Sequence, residues 1–171
     1  MPDIGDILAR VRPREHSVTI CLAGDKAAEV ERLEAELGRH AGWRPDSMAA
    51  TDPRREIAER IQALREEMQE SEVTLTFRAL GARAWSDLVA QHPSTREGEA
   101  WDPEALAPAL VAASAAEPEM TPEQVAELFE ALNHGQREQI IGAAWAVNGE
   151  PTSVPFSLLA SATLAARGGE K

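Results

Sequence analysis

The chain has 171 residues, which is long enough for one domain with its own hydrophobic core. Its formal net charge of -12 argues against a nucleic-acid-binding protein, because contacts to phosphates need clustered Lys and Arg. The single cysteine, Cys21, cannot form an internal disulfide, and no apolar run of about 18 residues predicts a membrane span.

A short amphipathic helix is predicted at the start of the chain. Ile4, Ile7, Leu8 and Val11 recur at helical spacing, and Pro13 ends the pattern. We expect this helix to pack on the rest of the domain or on a partner.

Two strands are predicted in the first half of the chain, at residues 16–22 and 73–80. In both segments apolar residues alternate with polar ones, and the second segment is rich in β-branched residues. A helix with Trp85 and Leu88 on its apolar side follows the second strand and ends at Pro93. We expect it to cover the apolar face of the strands.

Two helices are predicted between these strands. The first opens with Asp25 as its N-cap, and the second opens at Asp52-Pro53, an acidic cap followed by proline in the first turn. Their apolar stripes share alternate spacings of three and four, which predicts an antiparallel helical hairpin with a loop around Trp43 at its tip. Glu56 and Arg60 stand four residues apart, so we expect them to form an ion pair along the second helix.

Residues 94–101 form a polar loop, and the rest of the chain predicts short helices. Asp102-Pro103 starts the first of them, and Pro108 either kinks that helix or begins another. Thr121 begins a capping box, and Asn133-His134-Gly135 is interpreted as a helix C-cap and turn. A last helix is predicted from about Pro155, with an apolar side made of Phe156, Leu159 and Ala162.

The predicted fold is mainly α with a small β part, an α+β class. We expect a two-stranded β ribbon whose strands are linked by a long antiparallel helical hairpin, followed by a bundle of short helices. Residues 1–93 would form the β-hairpin-β unit with its first packing helix, and residues 94–171 the C-terminal helical bundle, packed together as one unit. The predicted core consists of Val18, Ile20, Leu22, Leu33, Leu64, Leu75, Phe77, Trp85, Leu88, Leu128, Phe129 and Trp145.

No group of residues specifies a reaction, so we predict no enzyme, no catalytic or cofactor-binding residue, no metal site and no cofactor. The four histidines lie far apart, and none has a second ligand at the spacing of a zinc site. His92 and His134 are placed where helices end, which favours a structural role. Gly24-Asp25-Lys26 lacks the first Gly and the Ser or Thr of a phosphate-binding loop.

The remaining candidates concern protein partners. Trp43 and Trp101 lie in predicted loops, where an indole either folds back onto its domain or anchors a partner, and they are the candidate partner-binding residues. Residues 97–138 hold ten acidic residues and one Arg. This bias is typical of a solvated helical face, and the alternatives are a docking surface for a basic partner or a mimic of DNA.

The order of several short motifs resembles a known family. Phe77-Arg78-Ala79-Leu80, Trp85-Ser86-Asp87-Leu88 and His92-Pro93 are similar to segments of the tail assembly chaperones of long non-contractile-tailed, siphovirus-type phages of actinobacteria. The segments Val18-Thr19-Ile20-Cys21-Leu22-Ala23-Gly24-Asp25 and Val154-Pro155-Phe156-Ser157 extend the resemblance over almost the whole chain. No single motif is specific, and residues 94–101 are short against the usual pattern.

The resemblance implies a protein without enzymatic activity. It would bind the tape measure protein, keep that partner soluble and help the tail tube protein polymerise around it. Such chaperones are absent from the mature virion, and many are made in two lengths by a programmed frameshift near the end of the shorter reading frame. The resemblance implies that this chain would be the short form. The implied location is the cytoplasm of the infected bacterial host, with no nucleic acid and no membrane as partner.

Two other functions are compatible with the sequence. The first alternative is a structural tail completion or connector protein of the virion, and the second is an acidic inhibitor that mimics DNA. Self-association is left open, because the apolar stripes of the hairpin can close within one chain or between chains.

Overall fold

The computed structural model describes residues 3–45 and 51–152, and it places seven helices and three strands in them. The elements in chain order are α1 (Ile4–Arg10), β1 (Glu15–Cys21), α2 (Gly24–Arg39), α3 (Pro53–Glu70), β2 (Glu72–Arg78), α4 (Ala82–Ala90), α5 (Pro103–Ser114), β3 (Ala115–Glu117), α6 (Pro122–Ala131) and α7 (His134–Gly149). The predicted mixed α+β class with mostly helix is confirmed. The helix predicted from Pro155 lies outside the described residues.

The sheet is antiparallel and has three strands in the order β1-β2-β3, so the predicted strand number of two is wrong. β1 and β2 pair in register, with Val18 opposite Leu75. β3 is a three-residue strand that directly follows α5 and pairs with the other edge of β2. It was missed because three residues cannot show a period-two pattern, and this strand exists only through its pairing with β2.

The two faces of the sheet differ in chemistry. On the outer face, the hydroxyls of Ser17 and Thr76 lie 3.0 Å apart and those of Thr19 and Thr74 2.9 Å apart, so each pair shares a hydrogen bond. The inner face carries the main core, which joins the sheet to α5, α6 and α7. Its fully buried side chains include Phe77, Leu110, Ile140, Val111 and Val125.

A second apolar cluster lies between α2 and α3 and consists of Val30, Leu33, Ile61 and Leu64. Charged side chains border it. Lys26, near the start of α2, forms an ion pair with Glu67 near the end of α3.

The predicted core is confirmed for six side chains that are almost fully buried, namely Ile20, Leu33, Leu64, Leu75, Phe77 and Phe129. Five others pack against the main core and are partly buried, namely Val18, Trp85, Leu88, Leu128 and Trp145. The prediction is wrong for Leu22, which is 52% exposed. Leu22 lies one residue beyond β1 and borders an open cavity instead of packed side chains.

Two further predictions, one about a helix N-cap and one about an ion pair, are also wrong. α2 begins at Gly24, so Asp25 lies in its first turn and Ala23 occupies the N-cap position without a side-chain hydrogen bond. Arg60 does not pair with Glu56, because its guanidinium reaches across to Glu29 on α2 at 3.1 Å. An arginine side chain is long enough to bridge neighbouring helices, where it also packs along its aliphatic stem.

The segment interpreted as a helix C-cap is the start of α7. Asn133 is the N-cap, and its side-chain oxygen accepts the backbone N–H of Gln136 at 3.0 Å. His134 is therefore the first residue of α7, and the prediction that it lies at the C-terminal end of a helix is wrong. Pro108 lies inside the continuous helix α5, so the alternative of a second helix beginning there is wrong.

Helix α1 is present, but the described residues do not cover its apolar side. Ile4, Ile7, Leu8 and Val11 are 69%, 48%, 65% and 61% exposed. The expected packing of α1 on the rest of the domain is therefore not observed in the described residues.

Candidate functional site

A shallow apolar groove runs beside α5 and is the candidate site for binding another protein. We call it the α5 groove; its volume is about 400 Å³. It is lined by Leu88, Gln91, His92, Ala109, Ala112, Ala113, Met120 and Pro122.

The amino-acid pattern of α5 explains why this groove is open. Leu106, Leu110 and Val111 are fully buried and fix one side of the helix in the main core. The adjacent side carries only methyl groups at Ala109, Ala112 and Ala113, which are too small to fill the space toward α4 and α6. This arrangement leaves a floor to which the backbone of another helix can come close.

Hydrogen bonds hold the two ends of the 91–102 connection in place next to this floor. The carboxylate of Asp102 caps α5 by accepting the backbone N–H groups of Glu104 and Ala105 at 3.0 and 3.2 Å. The backbone N–H of Asp102 donates to the carbonyl of His92 at 2.9 Å, and Nδ1 of His92 lies 2.9 Å from the carbonyl oxygen of Leu88. His92 follows the end of α4, as predicted, and it borders the groove.

Acidic residues flank the far side of the groove. Glu119 precedes the lining residue Met120, and Glu123 follows the lining residue Pro122; both are exposed. Hydrogen bonding by the backbone N–H of Glu123 itself and by the Thr121 side chain lowers the pKa of the Glu123 carboxyl below its ordinary value.

The two candidate tryptophans both contact their own chain. Trp101 packs edge-on against Trp85 with ring centroids 6.4 Å apart, and Trp85 packs in the same way against Trp145 at 5.9 Å. Trp43 lies under the guanidinium of Arg54, which is 5.5 Å from its ring centroid. The role of both indoles in partner binding stays a prediction, since each also has a place in the fold.

A second cavity of about 440 Å³ lies where α5, α6 and α7 meet, and it is lined by Pro103, Glu104, Ala107, Pro108, Phe129, His134, Arg137, Glu138, Ile141 and Trp145. The guanidinium of Arg137 stacks on Phe129 at 5.3 Å, and its Nε is buried without a hydrogen-bond partner among the described residues. Two carboxylates, those of Glu104 and Glu138, line the same cavity and oppose the binding of an anion.

The sequence alone did not predict the α5 groove: of its lining residues, Leu88 was predicted as core and His92 as a residue that follows a helix. The signal was the spacing of Ala109, Ala112 and Ala113, which places three small side chains on the side next to the buried leucines.

Neither a metal site nor a membrane span is found in the described residues, and three comparisons of the chain with known proteins find no match. In the part of the chain that the structure describes, no group of three or more His, Cys, Asp or Glu side chains is placed to hold a metal ion. Of the described helices, none has both the length and the apolar character needed to cross a bilayer. Comparison of the chain with protein-family models, with curated proteins and with solved structures finds no match.

Proposed function

We propose that this chain is a tail assembly chaperone of a siphovirus-type phage, which binds the tape measure protein through the α5 groove. The resemblance of its motifs suggests the family, and the groove is the single observation that carries the proposal. In this proposal, β1 and β2 form the ribbon, and α2 and α3 form the antiparallel helical hairpin between its strands. The later helices form the bundle that binds the partner.

The groove has the properties that an escort of helical proteins needs. Before the tail tube encloses it, a long helical protein exposes apolar side chains that favour aggregation. The apolar side of such a helix can lie in a groove between other helices, and the small floor at Ala109, Ala112 and Ala113 lets it approach closely. Met120 adds a flexible side chain that adapts to different partner residues.

The net charge of -12 complements this role. Carboxylates around an apolar surface keep the free chaperone and its complexes apart, because like charges repel. The proposal includes the cytoplasm of the infected host as the location, transient contact with the tail tube protein, and absence from the mature virion.

The experiment is co-expression with the tape measure protein, followed by measurement of the soluble fraction of that partner. Ala113→Trp places an indole on the exposed floor of the groove, and Ala58→Trp places the same indole on an exposed position of α3 as a control. We expect the wild type and Ala58→Trp to keep the partner soluble, and Ala113→Trp to lose most of this effect.

Two outcomes would contradict parts of the proposal. If the partner precipitates equally with and without the wild-type chain, the chaperone function is wrong. If Ala113→Trp protects as well as the wild type, the function stands but the groove is not the binding site. Mass spectrometry of purified particles tests the alternative of a virion component, since a stoichiometric amount of this chain there would remove the escort role.

A further inference from the structure

We propose that two copies of this chain form a symmetric dimer through the free edge of β1, and that α1 of each copy covers an apolar cavity of the other. This inference goes beyond the proposed function and does not depend on it. It rests on three features of the described residues: the edge of β1, helix α1 before it and a cavity at the other end of the strand.

The first feature is a strand edge with unused backbone groups. The N–H of Leu22 donates to the carbonyl of Ser71 and the N–H of Ala79 to the carbonyl of Arg14, so even-numbered residues of β1 bond to β2. In an antiparallel pair the intervening residues then direct their N–H and C=O groups outward. Ser17 and Thr19 are such residues, and no described residue outside the sheet hydrogen-bonds to their backbones.

Apart from the charge of Glu15 at its start, this edge lacks the features that usually prevent pairing between chains. Between Glu15 and Cys21 there is no proline and no lysine, and the pairing with β2 has no bulge. The outward carbonyl of Cys21 accepts the side-chain N–H of Gln136 at 2.7 Å, which marks the end of the free part of the edge.

The second feature is α1, which precedes β1. Its apolar side, formed by Ile4, Ile7, Leu8 and Val11, is roughly half to two-thirds exposed, although the capping box of Asp3 and Asp6 fixes its start. A helix of seven residues is too short to be stable in water without tertiary contacts. Another surface must therefore cover this side if α1 is to persist.

The third feature is an apolar cavity of about 480 Å³ at the opposite end of β1, which we call the Leu22 cavity. It is lined by Leu22, Gly24, Leu128, Ala131, Leu132, Asn133 and Gln136. Gln136 lines this cavity and also binds the outward carbonyl of Cys21, so the cavity opens beside the free edge.

Antiparallel pairing of two β1 edges brings these features together. We place the two-fold axis at Val18, so that Ser17 of one copy faces Thr19 of the other, and Glu15 faces Cys21. Residues that precede β1 in one copy then lie beside residues that follow β1 in the other. Each α1 meets the Leu22 cavity of the second copy, and because the contact is two-fold symmetric it occurs twice.

The size and charge of this contact are consistent with a specific dimer. Eight α1 side chains, each contributing on the order of 100 Å², together with the cavity walls that they cover, reach the roughly 1,200 Å² expected of a specific interface. The same pairing places Arg12, before β1, near Asp25 of the second copy, just after β1.

A segment of the same chain is the competing occupant. Residues 153–171 follow Glu150, whose carboxylate lies 2.6 Å from the guanidinium of Arg14 at the start of β1. Coverage of α1 by this segment would leave the chain monomeric, so oligomeric state separates the two occupants.

The test is sedimentation velocity of the full-length chain between about 1 and 100 µM. We expect the wild type to dimerise in this range. Thr19→Pro removes one outward N–H and no backbone bond to β2, so it should weaken dimerisation at least about tenfold. It also removes the hydroxyl bond to Thr74, which the control variant removes as well. Thr19→Val keeps the N–H and is the control, and circular dichroism checks that both variants are folded.

A second pair of variants tests α1 without touching the sheet. Leu8→Glu changes the apolar side of α1, and Ala9→Glu places the same charge on its other side. We expect only Leu8→Glu to weaken the dimer, again by about tenfold or more. In a Glu15→Cys variant, mild oxidation should link the new cysteine to Cys21 of the second copy, since facing positions of antiparallel strands lie about 4.5–5.5 Å apart.

A wild type that stays monomeric at about 100 µM would overturn the proposal. So would a dimer that Thr19→Pro and Leu8→Glu leave unchanged, because its interface would lie elsewhere.

Discussion

The amide of Asn148 connects three elements. Its oxygen accepts the N–H of Leu80 at 2.8 Å, and its nitrogen donates to the hydroxyl of Ser114 at 2.9 Å and to the carbonyl of Ala144 at 2.8 Å. Ser114 is 2% exposed, so water could not replace the Asn148 amide as the partner of its hydroxyl. This single side chain therefore ties the end of β2 and the end of α5 to α7.

We predict that Asn148→Leu destabilises the protein by about 2–4 kcal/mol, because it leaves the Leu80 N–H and the Ser114 hydroxyl without partners in a partly buried site. The measurement is urea unfolding followed by circular dichroism. Gln139→Leu, at an exposed position of the same helix, is the control and should cost less than about 0.5 kcal/mol. Equal effects of the two substitutions would show that the amide network does not stabilise the fold.

Single residues also show where prediction from sequence ends. Phe77 and Leu75 were predicted as core because their alternation is local, and both are buried. Asn148 and Leu22 depend on neighbours distant in sequence. Asn148 gives no local signal of its bonds to Leu80 and Ser114, and Leu22 continues the alternation of β1 but lies one residue beyond the strand, beside an open cavity.

At the scale of elements, the α2–α3 pair is bordered by the Lys26–Glu67 ion pair. A side-chain hydrogen bond from Lys26 lowers the pKa of Glu67 below its ordinary value of 4.5. The same hydrogen bond raises the pKa of Lys26 above its ordinary value of 10.5. The pair thus stabilises the folded state above pH 4.5, and this contribution is lost as the pH falls through the lowered pKa of Glu67. At high pH it is lost as the pH rises through the raised pKa of Lys26.

We therefore predict that Glu67→Gln lowers the melting temperature near neutral pH, and that its difference from the wild type disappears at a pH below the lowered pKa of Glu67. Both groups are partly exposed to solvent, so the effect at neutral pH should be small and reduced by salt. Differential scanning fluorimetry from acidic to neutral pH measures it, with Glu66→Gln as the control. A constant difference at all pH values would show that the ion pair does not contribute.

Elements with local signals were predicted, and those that depend on other elements were not. Asp102 and Thr121 mark helix starts through their own neighbours, and both caps are observed. Asn133 followed by Gly135 fits both the end of one helix and the start of the next. The backbone N–H of Gln136 donates to the Asn133 side chain, which identifies Asn133 as the N-cap of the next helix. The α5 groove was not predicted, because its walls come from the end of α4 and the start of α6.

At the scale of the whole molecule, the described residues contain two separate apolar clusters. The main core joins the sheet to α5, α6 and α7, while the second cluster lies between α2 and α3 alone. The second cluster has only four buried side chains. Three ion pairs supplement it at the surface, namely Lys26–Glu67, Arg60–Glu29 and Arg65–Glu34. Since exposed ion pairs add little stability, the α2–α3 pair should open more easily than the main core.

We predict that Leu64→Ala loosens the α2–α3 pair selectively. Leu64 is 1% exposed in the smaller cluster, and its truncation should cost about 2–5 kcal/mol locally. Hydrogen exchange measured by mass spectrometry should then become faster in α2 and α3 while the slowest peptides of α7 keep their rates. Leu110→Ala, a matched truncation in the main core, should accelerate exchange in the sheet and α5 to α7 as well. Equal acceleration across all elements in Leu64→Ala would mean that the two clusters unfold as one cooperative unit.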